Sequence, residues 1–133
     1  MRLGQFAFAL DSFRTAADLA PGLPGYRLRQ ATLEFQVAGG AEEGRERARR
    51  LMTGVTRRNP RYGEAHAALA AVEWASGRPG PAEDAFRRAT EQDPRWVDMA
   101  YIAENTRWPP RLTEAMQTFL TLDASGSGGG SGS

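Results

Sequence analysis

One histidine, His66, and no cysteine leave this chain few groups with which to do chemistry. A general base or a metal site needs several donors that converge, and His66 has no second imidazole and no thiol to join it. Placed in a helix that packs against its neighbours, it reads as a structural histidine. The adjacent acids Glu42-Glu43 and Glu83-Asp84 stand where helices begin, the second pair just after Pro81. Carboxylates there favour the positive end of the helix dipole, so capping explains them better than paired acid and base work. Gly39-Gly40 precede no lysine and hydroxyl pair, which removes a phosphate loop. The expectation is a chain that is not an enzyme and holds no cofactor or metal.

Arginine is the remaining reactive feature. All 17 basic residues are arginine, and they are unevenly spread. Arg45, Arg47, Arg49, Arg50, Arg57, Arg58 and Arg61 fall in one stretch against a single acid, Glu46. Such a block, centred on Arg45, Arg49, Arg50, Arg57 and Arg58, can steer an acidic partner or meet the phosphates of RNA or another polyanion. It can equally be one solvated helix face. A net charge of +1 argues against nucleic acid, whose binders usually carry a marked positive excess.

The elements that must position these groups are helices. At 133 residues the chain suits one domain with one core. It has no apolar run long enough for a membrane span and no signal peptide at Met1–Gln5, so a cytoplasmic protein is expected. Residues 125–133 contain only serine and glycine, and 124–133 read as a flexible linker of the engineered kind, outside the folded domain at 1–123. Pro21, Pro60 and Pro94 each close a segment of helical periodicity, and the last two are 34 residues apart.

Inside that period lie Leu69-Ala70, Gly77, Ala82, Phe86, Ala89 and Pro94. This spacing of small residue, turn, aromatic and closing proline resembles the tetratricopeptide repeat family, with His66 and Glu73 departing from its usual tryptophan and tyrosine. The same frame fits Leu28, Ala31, Phe35, Ala48, Met52 and Val55, with about five extra residues near Gly40–Gly44. Upstream, Gly4, Ala9, Phe13, Ala16 and Pro21 match a turn and one helix only, as though cut from a longer solenoid. The stretch from Asp93 to Pro110 also looks like the C-terminus of certain cyanobacterial tetratricopeptide proteins. The resemblance implies an all-α, right-handed α-solenoid of helical hairpins: a half repeat at 4–21, repeats at about 25–60 and 63–96, and C-terminal helices at 96–122. Trp96 to Asn105 reads as one helical stretch with Ala100 and Ala103 at small positions, and a terminal helix carrying Leu112, Ala115, Met116, Phe119 and Leu122 would cap the open end of the stack.

In that family the first helix of each repeat lines a concave groove where partners lie. The resemblance therefore implies a groove built from Tyr26, Arg29, Gln30, Leu33, Gln36 and Val37, then Glu64, Ala67, Ala71 and Trp74. Members that clamp a C-terminal carboxylate use lysines and asparagines; only Arg29 resembles such a residue, and Leu33, Ala67 and Ala71 do not. The implied function is a protein-interaction module, a scaffold, adaptor or assembly factor, holding an apolar or mildly acidic peptide or helix. One further expectation concerns the first helix. Phe6, Leu10, Phe13 and Ala17 form an apolar stripe with no preceding helix to cover it. Exposed, it would favour a homodimer or capping by whatever the Ser/Gly tail once joined; the other course is burial against Leu28, Phe35 and the second hairpin.

Overall fold

The computed structural model describes residues 3–124, and every described element is helical. In order these are α1 (Leu3–Leu19), α2 (Pro24–Ala38), α3 (Glu42–Arg58), α4 (Gly63–Ala75), α5 (Pro79–Gln92), a 3-10 turn (Pro94–Val97), α6 (Met99–Asn105), α7 (Pro110–Thr118) and a π-turn segment (Phe119–Ala124). Of the linker read above at 124–133, Ala124 closes the π-turn segment, and residues 125–133 lie outside the described residues.

Proline and glycine set the breaks. Pro24, Pro79 and Pro110 each sit in the first turn of a helix, where a missing N–H leaves no bond unmade. Gly39 ends α2 at φ 60°, a left-handed conformation that a side chain disfavours, and its N–H bonds the Gln36 carbonyl. Glu42 and Glu43 occupy the first turn of α3, and Arg57 and Arg58 its last, so both ends complement the helix dipole. Asp98 starts α6 by accepting from the Ala100 N–H at 2.9 Å.

Each of α1 to α5 packs on its neighbour in sequence, and α7 returns to lie on α4 and α2. The expected core residues Leu28, Ala31, Phe35, Ala48, Met52, Val55, Ala70, Ala82 and Ala89 are all buried. Gly44 explains how the longer turn at 40–44 is absorbed: a Cβ there would overlap the Ala38 side chain, so α2 and α3 approach by virtue of its absence.

Four expectations are corrected. Gly4 lies within α1 rather than at a turn. The stretch from Trp96 is not one helix, because Asp98 ends the 3-10 turn and caps a new start; Ala100 and Ala103 are exposed while Ile102 is buried. Leu122 is 65% exposed, since the wider π turns after Phe119 rotate it off the stripe of Leu112 and Met116. Finally, the α1 stripe is not open to water. Phe6, Leu10 and Ala17 are buried, the first two in a small cluster with Leu33, Ala9, Phe13 and Val37. That burial removes the surface on which a homodimer through α1 was expected, and it falls on Leu33 and Val37 rather than on Leu28 and Phe35.

Candidate interaction groove

The face of α2 and α4 expected to lie open is occupied by the chain's own C-terminal segment. Glu64, Ala67, Ala71 and Trp74 recur at helical spacing along one side of α4. At one end of that row the Trp108 indole N–H donates to Glu64 at 3.1 Å. At the other, the Trp74 ring meets Phe119 edge-on with centroids 5.7 Å apart, and Phe119 meets Phe86 of α5 at 5.1 Å. Ala67 and Ala71, between these contacts, have no exposed surface. Leu112, Met116 and Phe119 are fully buried in the same core. On α2, the Gln36 side-chain carbonyl accepts the Arg111 backbone N–H at 2.9 Å, satisfying a first-turn donor of α7 that the helix itself cannot.

Three of the α2 positions expected in the groove are elsewhere. Gln30 is buried on the side of α2 where the Glu34 carboxylate sits, and donates to it at 3.4 Å. Glu34 in turn meets Arg14 of α1 and Arg47 of α3, each at 3.4 Å, so this polar cluster ties three helices together. Leu33 is buried under α1, with Val37 half-buried beside it. Of the remaining two, Tyr26 is exposed and Arg29 half-buried.

Two mouths open at the ends of the covered face. The first, about 360 Å³, lies by the N-terminal ends of α2 and α4 and is walled by Phe13, Tyr26, Arg29, Tyr62, Glu64 and Arg107. The second, about 260 Å³, lies at the other end between Phe35, Arg45, Trp74, Arg111 and Glu114. In the first mouth the Arg29 guanidinium sits over the Phe13 ring, 4.6 Å from its centroid. Burial, and then the facing Arg107, lower the Arg29 pKa; Glu64 and Tyr62 act in the opposite direction. Burial, with Glu64 nearby, pushes the Tyr62 hydroxyl up to about 12, so it remains a donor near neutral pH. Burial also raises the Glu64 pKa above its ordinary 4.5, opposed by the Trp108 hydrogen bond and by Arg29.

The sign of the Glu64 shift yields a prediction. A carboxyl whose folded-state pKa is raised contributes stability below its unfolded pKa and loses it as pH rises through the folded value. Glu64→Gln keeps an acceptor for Trp108 without the buried charge. It is expected to melt at or above the parent temperature near neutral pH, the gap closing below about pH 4. Melting curves by circular dichroism across that range check it; a variant less stable at neutral pH than at acid pH, relative to the parent, contradicts it.

The arginine block is partly engaged by the chain itself. Arg45 donates to the Gly40 carbonyl, Arg47 meets Glu34 and Glu43, and Arg49 pairs with Glu46. Arg50, Arg57 and Arg58 are exposed. His66 is buried, and its Nε2–H donates to the Pro60 carbonyl at 2.8 Å. Among the described residues no three acidic or imidazole side chains gather as metal ligands, and no helix is long and apolar enough to cross a membrane.

Arg107, Trp108, Arg111 and Phe119 are the site residues that the sequence reading missed. Their signal is present in part: the stripe of Leu112, Met116 and Phe119 is legible as helical, but its place against α4 and α2 is not. No protein-family model matches the chain, and neither the curated proteins nor the solved structures give a significant match.

Proposed function

We propose that this chain is a non-catalytic protein-interaction module, a short right-handed solenoid of tetratricopeptide-like hairpins that holds an apolar, mildly acidic helical segment. One observation carries this reading: the face of α2 and α4 already accepts an amphipathic helix, α7, whose Leu112 and Met116 lose all exposure against it. A partner helix would take the same face in place of α7. Arg45 and Arg111 stand around the second mouth, which suits an acidic flank on the partner. His66, the best candidate for a general base, is tied to a backbone carbonyl, which supports a role without catalysis. A polyanion-binding role has less support, because Arg45, Arg47 and Arg49 are held by their own chain.

The test uses a fluorescein-labelled synthetic peptide of residues 108–122, titrated into the full chain. Saturable polarisation is expected, lost when the peptide's equivalents of Leu112, Met116 and Phe119 are glutamate. No saturable binding, or equal binding of the glutamate peptide, overturns the reading.

A further inference from the structure

The mouth beside α1 carries charges that the groove reading leaves unused. Arg29 and Arg107 both line this cavity of about 360 Å³, a volume in the range of small-molecule sites. Neither meets a carboxylate at ion-pair distance among the described residues, whereas Arg14, Arg47 and Arg95 each do. The Arg29 Nε is shielded from solvent and has no hydrogen-bond acceptor. A buried donor left without an acceptor is costly and uncommon in folded proteins. The one carboxylate at the cavity, Glu64, is held by the Trp108 indole. Two guanidiniums and one carboxylate leave a single positive charge. Around it stand three rings, Phe13, Tyr26 and Tyr62, with Phe13 and Tyr26 centred 6.4 Å apart.

We infer that this cavity binds a small ring-bearing monoanion, an aryl carboxylate of the benzoate type. Its carboxylate lies between Arg29 and Arg107, and its ring lies among Phe13, Tyr26 and Tyr62. The pieces fit the chemistry on both sides. A carboxylate supplies the counter-charge that neither guanidinium finds at ion-pair distance among the described residues and separates two like charges. A flat ring fills the apolar volume and contacts the aromatic walls edge-on or offset. A simple inorganic anion satisfies only the first requirement, and a neutral ring only the second. Because the cavity lies beside the face that α7 covers, the inference stands independently of the partner helix proposed above.

Isothermal titration of the full chain with benzoate, benzamide, acetate and inorganic phosphate tests it, together with NMR of the arginine Nε–H groups. Benzoate is expected to bind at one site and shift the Arg29 Nε–H. Benzamide, acetate and phosphate are expected to bind at least about tenfold more weakly, since each lacks the charge or the ring. Arg107 is exposed, so Arg107→Ala should keep the parent melting temperature while weakening benzoate by about tenfold or more. Glu64→Gln removes the opposing charge and should tighten it. Absence of saturable benzoate binding, equal binding of acetate and benzoate, or an affinity untouched by Arg107→Ala overturns the site. None of these outcomes bears on the peptide titration, so the two readings fail separately.

Discussion

Phe119→Ala is expected to lower the free energy of unfolding by about 3–5 kcal/mol, the usual range for removing a large aromatic from a packed core. Phe119 has no exposed surface, and its ring lies between Trp74 of α4 and Phe86 of α5. Its removal takes away two edge-to-face contacts as well as buried apolar area, and leaves a hole that two aromatic rings on rigid helices cannot easily close. Against a total stability of about 5–15 kcal/mol, such a loss is a large fraction. Phe8→Ala and Leu19→Ala are the controls. These side chains are 77% and 81% exposed, and their truncation should change stability by about 0.5 kcal/mol or less. Urea denaturation followed by circular dichroism measures all three. A Phe119→Ala variant as stable as the controls would mean that the segment after α7 does not belong to the core.

The breaks between helices were legible because proline and glycine act locally. Pro21, Gly39, Pro60 and Gly77 interrupt the backbone through their own φ preferences or a missing N–H, whatever the tertiary setting. The core stripes of α2, α3 and α5 were legible for a similar reason, since Ala48, Met52 and Val55 repeat at helical spacing. Leu122 was not, because a turn that widens after Phe119 leaves no mark in residue type. Nor was the separate start of α6 read correctly: Asp98 is a capping residue by type, but a helical pattern with Ala100 and Ala103 outweighed it.

The site was harder to read, and α2 shows why. From Leu28 to Phe35 every residue except Arg29 is buried, since α1, α3 and α7 approach it from different sides. Periodicity identifies one apolar face, but it does not reveal which distant segment covers another. A groove containing Gln30 and Leu33 requires α2 to keep a solvent face there, and both side chains are buried. The polar contacts that hold Gln30 inward depend on Arg14 and Arg47, which are distant in sequence and meet only in the fold. In α4 the sequence does carry a signal. Ala65, Ala67, Ala68, Ala70 and Ala71 surround the helix, and a helix apolar on all sides is a buried one. Those alanines indicate close packing by more helices than a two-helix hairpin supplies, and α3 and α7 are the further neighbours.

That cover leads to the second large effect. Ala67→Asp and Ala71→Asp are each expected to destabilise the fold by about 3–5 kcal/mol, the scale for a buried charge left without a partner. Both alanines have no exposed surface, and both lie on the side of α4 bounded by the Glu64–Trp108 and Trp74–Phe119 contacts. An aspartate there must lose its hydration beneath α7 or force the helix away. Ala75→Asp supplies the comparison, because Ala75 follows Ala71 by about one turn and is exposed. There the charge stays in water and the change costs about 1 kcal/mol at most, mainly helix propensity and an unfavourable position near the helix end. Urea denaturation of the three variants separates two pictures of the groove. If α7 covers α4, Ala67→Asp and Ala71→Asp fall well below Ala75→Asp. If the face stands open in solution, all three cost about the same, because a mid-helix aspartate in water meets only its own propensity. Equal losses would therefore remove α7 from the groove, and with it the observation on which the proposed helix-binding role rests.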